Sequence, residues 1–158
     1  DISYTCLGTN EYEVTLRVYR DCASGGAQFD NQAVMTVYDI NNNALQTVQA
    51  PKGPTVPVSA NPGSDPCIIV PPTLCTEYAE YTTTLVLVPL AGGYVISSQR
   101  CCRNSTISNV ANSGTFGNTY TVQIPSMDTT CNSSPRIGTV APTILCEGEV
   151  LNLSLIHI

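Results

Sequence analysis

Residues 12–19 read YEVTLRVY, and their alternation constrains the fold more than any other stretch. Side chains of an extended strand point to opposite faces in turn. Tyr12, Val14, Leu16 and Val18 therefore share one face, and Glu13, Thr15, Arg17 and Tyr19 the other. That pattern predicts a strand with one face buried and one in water. LGTNE just before it predicts a hairpin tip, so residues 2–7 pair back onto it. Further strands are predicted in AVMTVYDI (33–40), ALQTVQA (44–50), TTTLVLV (82–88), YVISSQR (94–100) and NTYTVQI (118–124). Between residues 51 and 74, Pro51, Pro54, Pro57, Pro62, Pro66, Pro71 and Pro72 predict loop, because proline donates no ladder hydrogen bond and breaks helices. No window has helical periodicity and no internal repeat is visible. Short strands separated by Pro, Gly and Asn turns predict an all-β chain, an antiparallel β-sandwich of immunoglobulin-like type.

Such a chain needs other sources of stability and solubility, since only 11% of its residues are charged, against about a quarter in an average globular domain. Eight cysteines, at 6, 22, 67, 75, 101, 102, 131 and 146, form an even set without the C-x2-C spacing of a zinc knuckle. They predict disulfides formed in an oxidising compartment. CIIVPPTLC suggests a small loop closed by Cys67 and Cys75 across its Pro-Pro bend. Cys101 and Cys102 sit in QRCCRN. If the strand YVISSQR continues through them, they point to opposite faces and staple it to two different neighbours. A bond between the two would instead need a strained eight-membered ring, and would turn attention to redox chemistry. Arg100 and Arg103 either lower a thiol pKa there or pair with Asp21 or Glu77.

Catalytic readings find little support. The single histidine, His157, lies in LSLIHI, which resembles the translation of a common sequencing adaptor; residues 153–158 read as adaptor-derived. Without it, triad and Cys–His chemistry have no base. DINNN (39–43) offers oxygens at alternate positions like a calcium loop, but Ala44 and Ala50 stand where Gly and Glu are required, so a hairpin turn is the better reading. The pairs Glu11/Glu13, Glu77/Glu80 and Glu147/Glu149 read as solvated strand-edge charge rather than glycosidase carboxylates. No metal or cofactor is implied. A net charge of −6 with six basic residues gives no footprint for nucleic acid or an anionic membrane. The longest apolar run is broken by Pro89, so no membrane insertion is expected.

Two readings remain for binding and modification. Asn104 and Asn132 begin N-glycosylation sequons. The tyrosines 19, 38, 78, 81 and 94, above all Tyr78, Tyr81 and Tyr94, offer a platform for sugar rings, which would make the chain a carbohydrate-binding module. Cross-strand pairing in a core without tryptophan is the simpler account.

Several stretches together resemble a known family: ISYTCLGTNEYEVTLRVYRDC (2–22), CTEYAEYTTTLVLVPLAGGYVISSQRCCRN (75–104), and CNSSP with PTILCEGEVLN within 131–152. They are similar to the N-terminal β-module of very large bacterial cell-surface proteins exported by type IX secretion and associated with gliding motility. After Pro125 the sequence turns to a polar connector, which predicts a domain at residues 1–127, a linker at 128–136 and the truncated start of a second module at 137–152. The resemblance implies that the first is a disulfide-bonded β-module and the second an immunoglobulin- or cadherin-like repeat. It also implies a non-catalytic structural or adhesive role at the bacterial surface. The partners would be surface polysaccharide, another surface protein, and the rest of the parent chain. The chain opens on DISYTC, already strand-like, and reads as a mature or excised segment.

Overall fold

The structure, a computed structural model, describes residues 1–23, 27–58, 75–103, 107, 109–126 and 131–135. Seven antiparallel strands form one curled sheet: β1 (Ile2–Gly8), β2 (Glu11–Asp21), β3 (Gln32–Tyr38), β4 (Ala44–Pro57), β5 (Thr76–Val86), β6 (Tyr94–Arg100) and β7 (Asn118–Ile124). Their order is β1-β2-β5-β4-β3-β6-β7, and β1 approaches β7 where the curl nearly closes. A 3-10 turn, Ser113–Thr115, precedes β7. The chain is all-β and antiparallel, as its alternation predicts.

The buried face of β2 is Tyr12, Val14, Leu16 and Val18. Met35 and Val37 of β3, Ala50 of β4, Ala79, Tyr81 and Leu85 of β5, Leu87 just beyond it, Tyr94 and Ile96 of β6 and Ile124 of β7 complete the interior with Tyr4. At about 25 cal/mol per Å², fully burying one such large side chain is worth roughly 1.5–3 kcal/mol. The seam of apolar alternate residues is therefore what holds the curl.

The prolines behave differently from the loop predicted for residues 51–74. β4 runs through Pro51 and Pro54 to Pro57 and lies in the middle of the sheet. Its first half pairs with β3 from Ala44 to Pro51, and its second half pairs with β5 from Lys52 to Pro57. The ladder shifts register between Lys52 and Thr55, so Pro54 falls where the strand changes partners and the regular bonding is already interrupted. Gly53 occupies the same bend, where a Cβ would lie 3.1 Å from the Glu80 carbonyl oxygen. Residues 59–74, including Cys67 and Pro62, Pro66, Pro71 and Pro72, lie outside the described residues.

β5 begins earlier than its Thr/Val-rich half suggests, at Thr76, because TEYAEY pairs residue for residue with β2. The DINNN turn is organised by Asp39. Its Oδ1 accepts from the backbone N–H of Asn41 and Asn43, each at 2.8 Å, and its Oδ2 accepts from Asn43 Nδ2 at 2.8 Å. Asn42 supplies the left-handed residue, φ 63°. These hydrogen bonds, the Asn43 side chain first, hold the Asp39 carboxyl below its ordinary pKa.

Candidate functional site

Three disulfides lie among the described residues, and strand pairing sets the partners of one of them. β2 and β5 pair with Asp21 opposite Thr76. The next residues out are Cys22 and Cys75, which are bonded with Cα atoms 5.1 Å apart; the Cys22 N–H also donates to the Cys75 carbonyl at 3.0 Å. Cys75 therefore does not close the short loop with Cys67, because the ladder delivers it to a partner 53 residues away.

Cys6, in β1, is bonded to Cys131, 125 residues later, with Cα atoms 5.7 Å apart. The residues after Cys131 lie along the same strand. The Tyr4 N–H donates to Ser134 Oγ at 2.9 Å, the Cys6 N–H donates to Ser133 Oγ at 3.0 Å, and the Ser134 N–H donates to the Tyr4 carbonyl at 2.9 Å. Residues 131–135, within the predicted linker, thus cover the outer edge of β1. An uncovered edge would present a row of unpaired donors and acceptors.

Cys101 and Cys102 are bonded to each other, Cα atoms 3.6 Å apart, and do not staple two neighbours. Divergence onto opposite faces requires the strand to continue, and β6 ends at Arg100. Cys102 then takes a left-handed backbone, φ 84°, and both cysteines are exposed. The chain beyond is held to the approach to β7: the Arg103 N–H donates to the Phe116 carbonyl at 2.9 Å and its Nε to the Gly117 carbonyl at 3.3 Å. Among the described residues, no group of three His, Cys, Asp or Glu side chains is placed to hold a metal.

The tyrosine platform is largely dismantled. Tyr81 and Tyr94 are only 1% and 4% exposed. Each buries its ring and satisfies its hydroxyl: Tyr81 donates to the Asp30 carbonyl at 2.8 Å and Tyr94 to the Val88 carbonyl at 2.5 Å. Burial raises both phenol pKa values. Tyr78 alone of the three stays on the outer face, beside Tyr19, with ring centroids 5.6 Å apart. Arg17 lies over the Tyr78 ring at 4.8 Å and donates to Glu80 Oε1 at 2.9 Å through Nε and 2.5 Å through Nη2. That bond to Glu80 is the main cause holding the Arg17 pKa up. Glu77 is paired with Arg20, so it serves neither Arg100 nor Arg103. Both carboxylates of the Glu77/Glu80 pair are engaged by arginines across the ladder, an arrangement unlike a free acid and base facing one cleft.

Asn132 is exposed, while the hydroxyl of its sequon partner Ser134 accepts from Tyr4. Asn104, Cys146, Glu147, Glu149, His157 and the segments 137–152 and 153–158 lie outside the described residues. No described helix is long and apolar enough to cross a membrane. No family model matches the chain, and neither a curated protein nor a solved structure does.

Proposed function

We propose that the chain is a non-catalytic extracellular module of a bacterial surface or secreted multidomain protein, with a structural or adhesive role. One observation carries this reading: the Cys6–Cys131 bond joins the first strand to the segment that follows the last one. Tension applied through the flanking chain enters at one sulfur and leaves at the other. The 125-residue separation between them is sheltered from load. Such a shunt suits a link in a long surface polymer under tension. Disulfides also suit an oxidising, extracellular setting.

The finer fold supports the same reading. The strand order places β1-β2-β5-β4 beside β3-β6-β7, the arrangement of the two sheets of a seven-stranded immunoglobulin-type sandwich, here bridged by β4. Tyr94 opens β6 and returns its hydroxyl to Val88 across the β5–β6 corner, as the tyrosine of that fold's corner does. The resemblance of residues 2–22 and 75–104 to gliding-motility-associated, type IX-secreted proteins points to the same class. The partners on this reading are the rest of the parent chain and surface polysaccharide or protein.

Single-molecule pulling from residue 1 and residue 135 tests it. The oxidised module should show no large length step. After reduction, 125 residues become extensible, which at 3.3–3.6 Å each is a step of about 430 Å. An oxidised module that lengthens by that amount under the same load refutes the load-bypass reading.

A further inference from the structure

The open end of the curl contains a cleft of about 270 Å³. It exists because β3 pairs with β6 only between Thr36–Tyr38 and Val95–Ser97. Before Thr36 the two strands part, and Ser98 Oγ bridges the wedge by donating to the Val34 carbonyl at 2.9 Å. Leu16, Val18 and Ala33 line it with apolar surface, and Tyr120 of β7 adds a half-buried ring. Tyr81 closes the back of the cleft, its hydroxyl donating to the Asp30 carbonyl and lying against Arg100. Arg100 and Asp30 complete the lining as an ion pair, Nη1 to Oδ2 3.3 Å, with side chains 30% and 65% exposed. Arg100 Nη2 also donates to the Gln28 carbonyl at 3.4 Å.

We propose that this cleft binds one neutral hexose unit of a glycan. The Arg100–Asp30 pair presents charged donors and an acceptor side by side, which is the complement of two adjacent sugar hydroxyls. The half-buried Tyr120 ring and Ala33 suit the C–H face of a pyranose, above a floor of buried Leu16 and Val18. The volume falls just below the roughly 300–1,000 Å³ of sites for drug-sized ligands, the scale of a single ring with its substituents. Charge decides between neutral and acidic sugars. Asp30 already neutralises Arg100, and the chain as a whole carries −6, so its field repels an anion. The site is separate from the exposed Tyr19–Tyr78 pair and goes beyond the mechanical role proposed above.

Saturation-transfer NMR and titration of backbone amide shifts test it, with methyl glycosides of glucose, galactose and mannose as probes and glucuronate as the anionic counterpart of glucose. At least one neutral probe should saturate, shifting the amides of Ala33, Arg100 and Tyr120. Glucuronate should bind about ten-fold more weakly than the glucoside. Arg100→Met should weaken the neutral probe about ten-fold or more, because it leaves Asp30 and the sugar hydroxyls without their charged donor. Tyr19→Ala with Tyr78→Ala should leave binding unchanged. No saturable binding by any neutral probe, tighter binding of glucuronate, or binding that survives Arg100→Met overturns the proposal. If Arg100→Met fails to fold, the wild-type shift map decides alone: shifts centred on Thr15, Arg17 and Tyr19 instead of the cleft overturn it.

Discussion

The three disulfides make unequal demands on the unfolded chain, and that inequality predicts their contributions to stability. Cys6–Cys131 and Cys22–Cys75 close separations of 125 and 53 residues. The chain-entropy treatment gives about 4.9 and about 4.2 kcal/mol for loops of those lengths at room temperature. Cys101–Cys102 closes a separation of 1 residue, for which the logarithmic part vanishes and less than about 1 kcal/mol remains. Replacing Cys6 and Cys131 together by Ala should lower the melting temperature by roughly 15–20 °C, at about 4 °C per kcal/mol for a domain of this size. Cys22→Ala with Cys75→Ala should do nearly the same. Cys101→Ser with Cys102→Ser should shift it by less than about 4 °C. The three hydrogen bonds between residues 131–135 and β1 survive the first replacement. They act on the folded state, so they do not restore the lost constraint on the unfolded one. Calorimetry of the oxidised variants, with peptide mapping to confirm the remaining bonds, gives the comparison. A loss at Cys101/Cys102 equal to that of the long-range pairs, or a loss within 1 kcal/mol at Cys6/Cys131, refutes the entropic reasoning.

Gly93 has φ 77°, and a Cβ there would run into the Ile124 carbonyl and Pro125; Gly93→Ala should cost roughly 2–4 kcal/mol in chemical denaturation. Burial raises the phenol pKa values of Tyr4, Tyr12, Tyr81 and Tyr94 above their ordinary 10.0. Their contribution is therefore fully present below about pH 10, where the unfolded tyrosines are protonated, and is lost as pH rises through the folded values. Circular dichroism should show alkaline unfolding above that point, with a late, cooperative rise in tyrosinate absorbance for the buried set. Arg17 and Glu80 are 36% and 40% exposed in their side chains, so Glu80→Gln should change stability by less than about 1 kcal/mol, and by less still in high salt.

Local pattern decided the strands whose own side chains carry the signal. β6 and β7 occupy the residues their alternation marks, Tyr94–Arg100 and Asn118–Ile124, and the face of β2 assigned to the interior is buried. Other features depend on residues far away in the chain. Pro51 and Pro54 look incompatible with a central strand until the change of partner at Lys52 is known. Tyr81 and Tyr94 look like surface rings until their hydroxyls find carbonyls at Asp30 and Val88. The cleft was not legible at all, since it depends on where β3 and β6 separate.

One long-range signal was nevertheless present in the letters. Read backwards from residue 22, the chain runs C-x-R-Y-x-R-x-T; read forwards from residue 75, it runs C-x-E-Y-x-E-x-T. The antiparallel register of β2 and β5 sets these side by side. Tyr19 faces Tyr78, Arg17 faces Glu80, Arg20 faces Glu77 and Thr15 faces Thr82, the two threonine hydroxyls 3.2 Å apart. A slip of one residue would break both ion pairs and the ring contact, turn the buried row of one strand toward water, and carry Cys22 out of line with Cys75. The half-exposed Arg17–Glu80 pair, the threonine pair and the ring contact contribute roughly a kcal/mol or less each, and the more buried Arg20–Glu77 pair offsets its attraction against desolvation. Their effect lies in agreement: every pair rewards the same register, and the disulfide then fixes it covalently. The same logic explains the vicinal ring. One step past the β2–β5 ladder the register sets Cys22 beside Cys75, whereas one step past the β6–β7 ladder, which ends with Arg100 opposite Asn118, the position across from Cys101 is Gly117 and offers no sulfur.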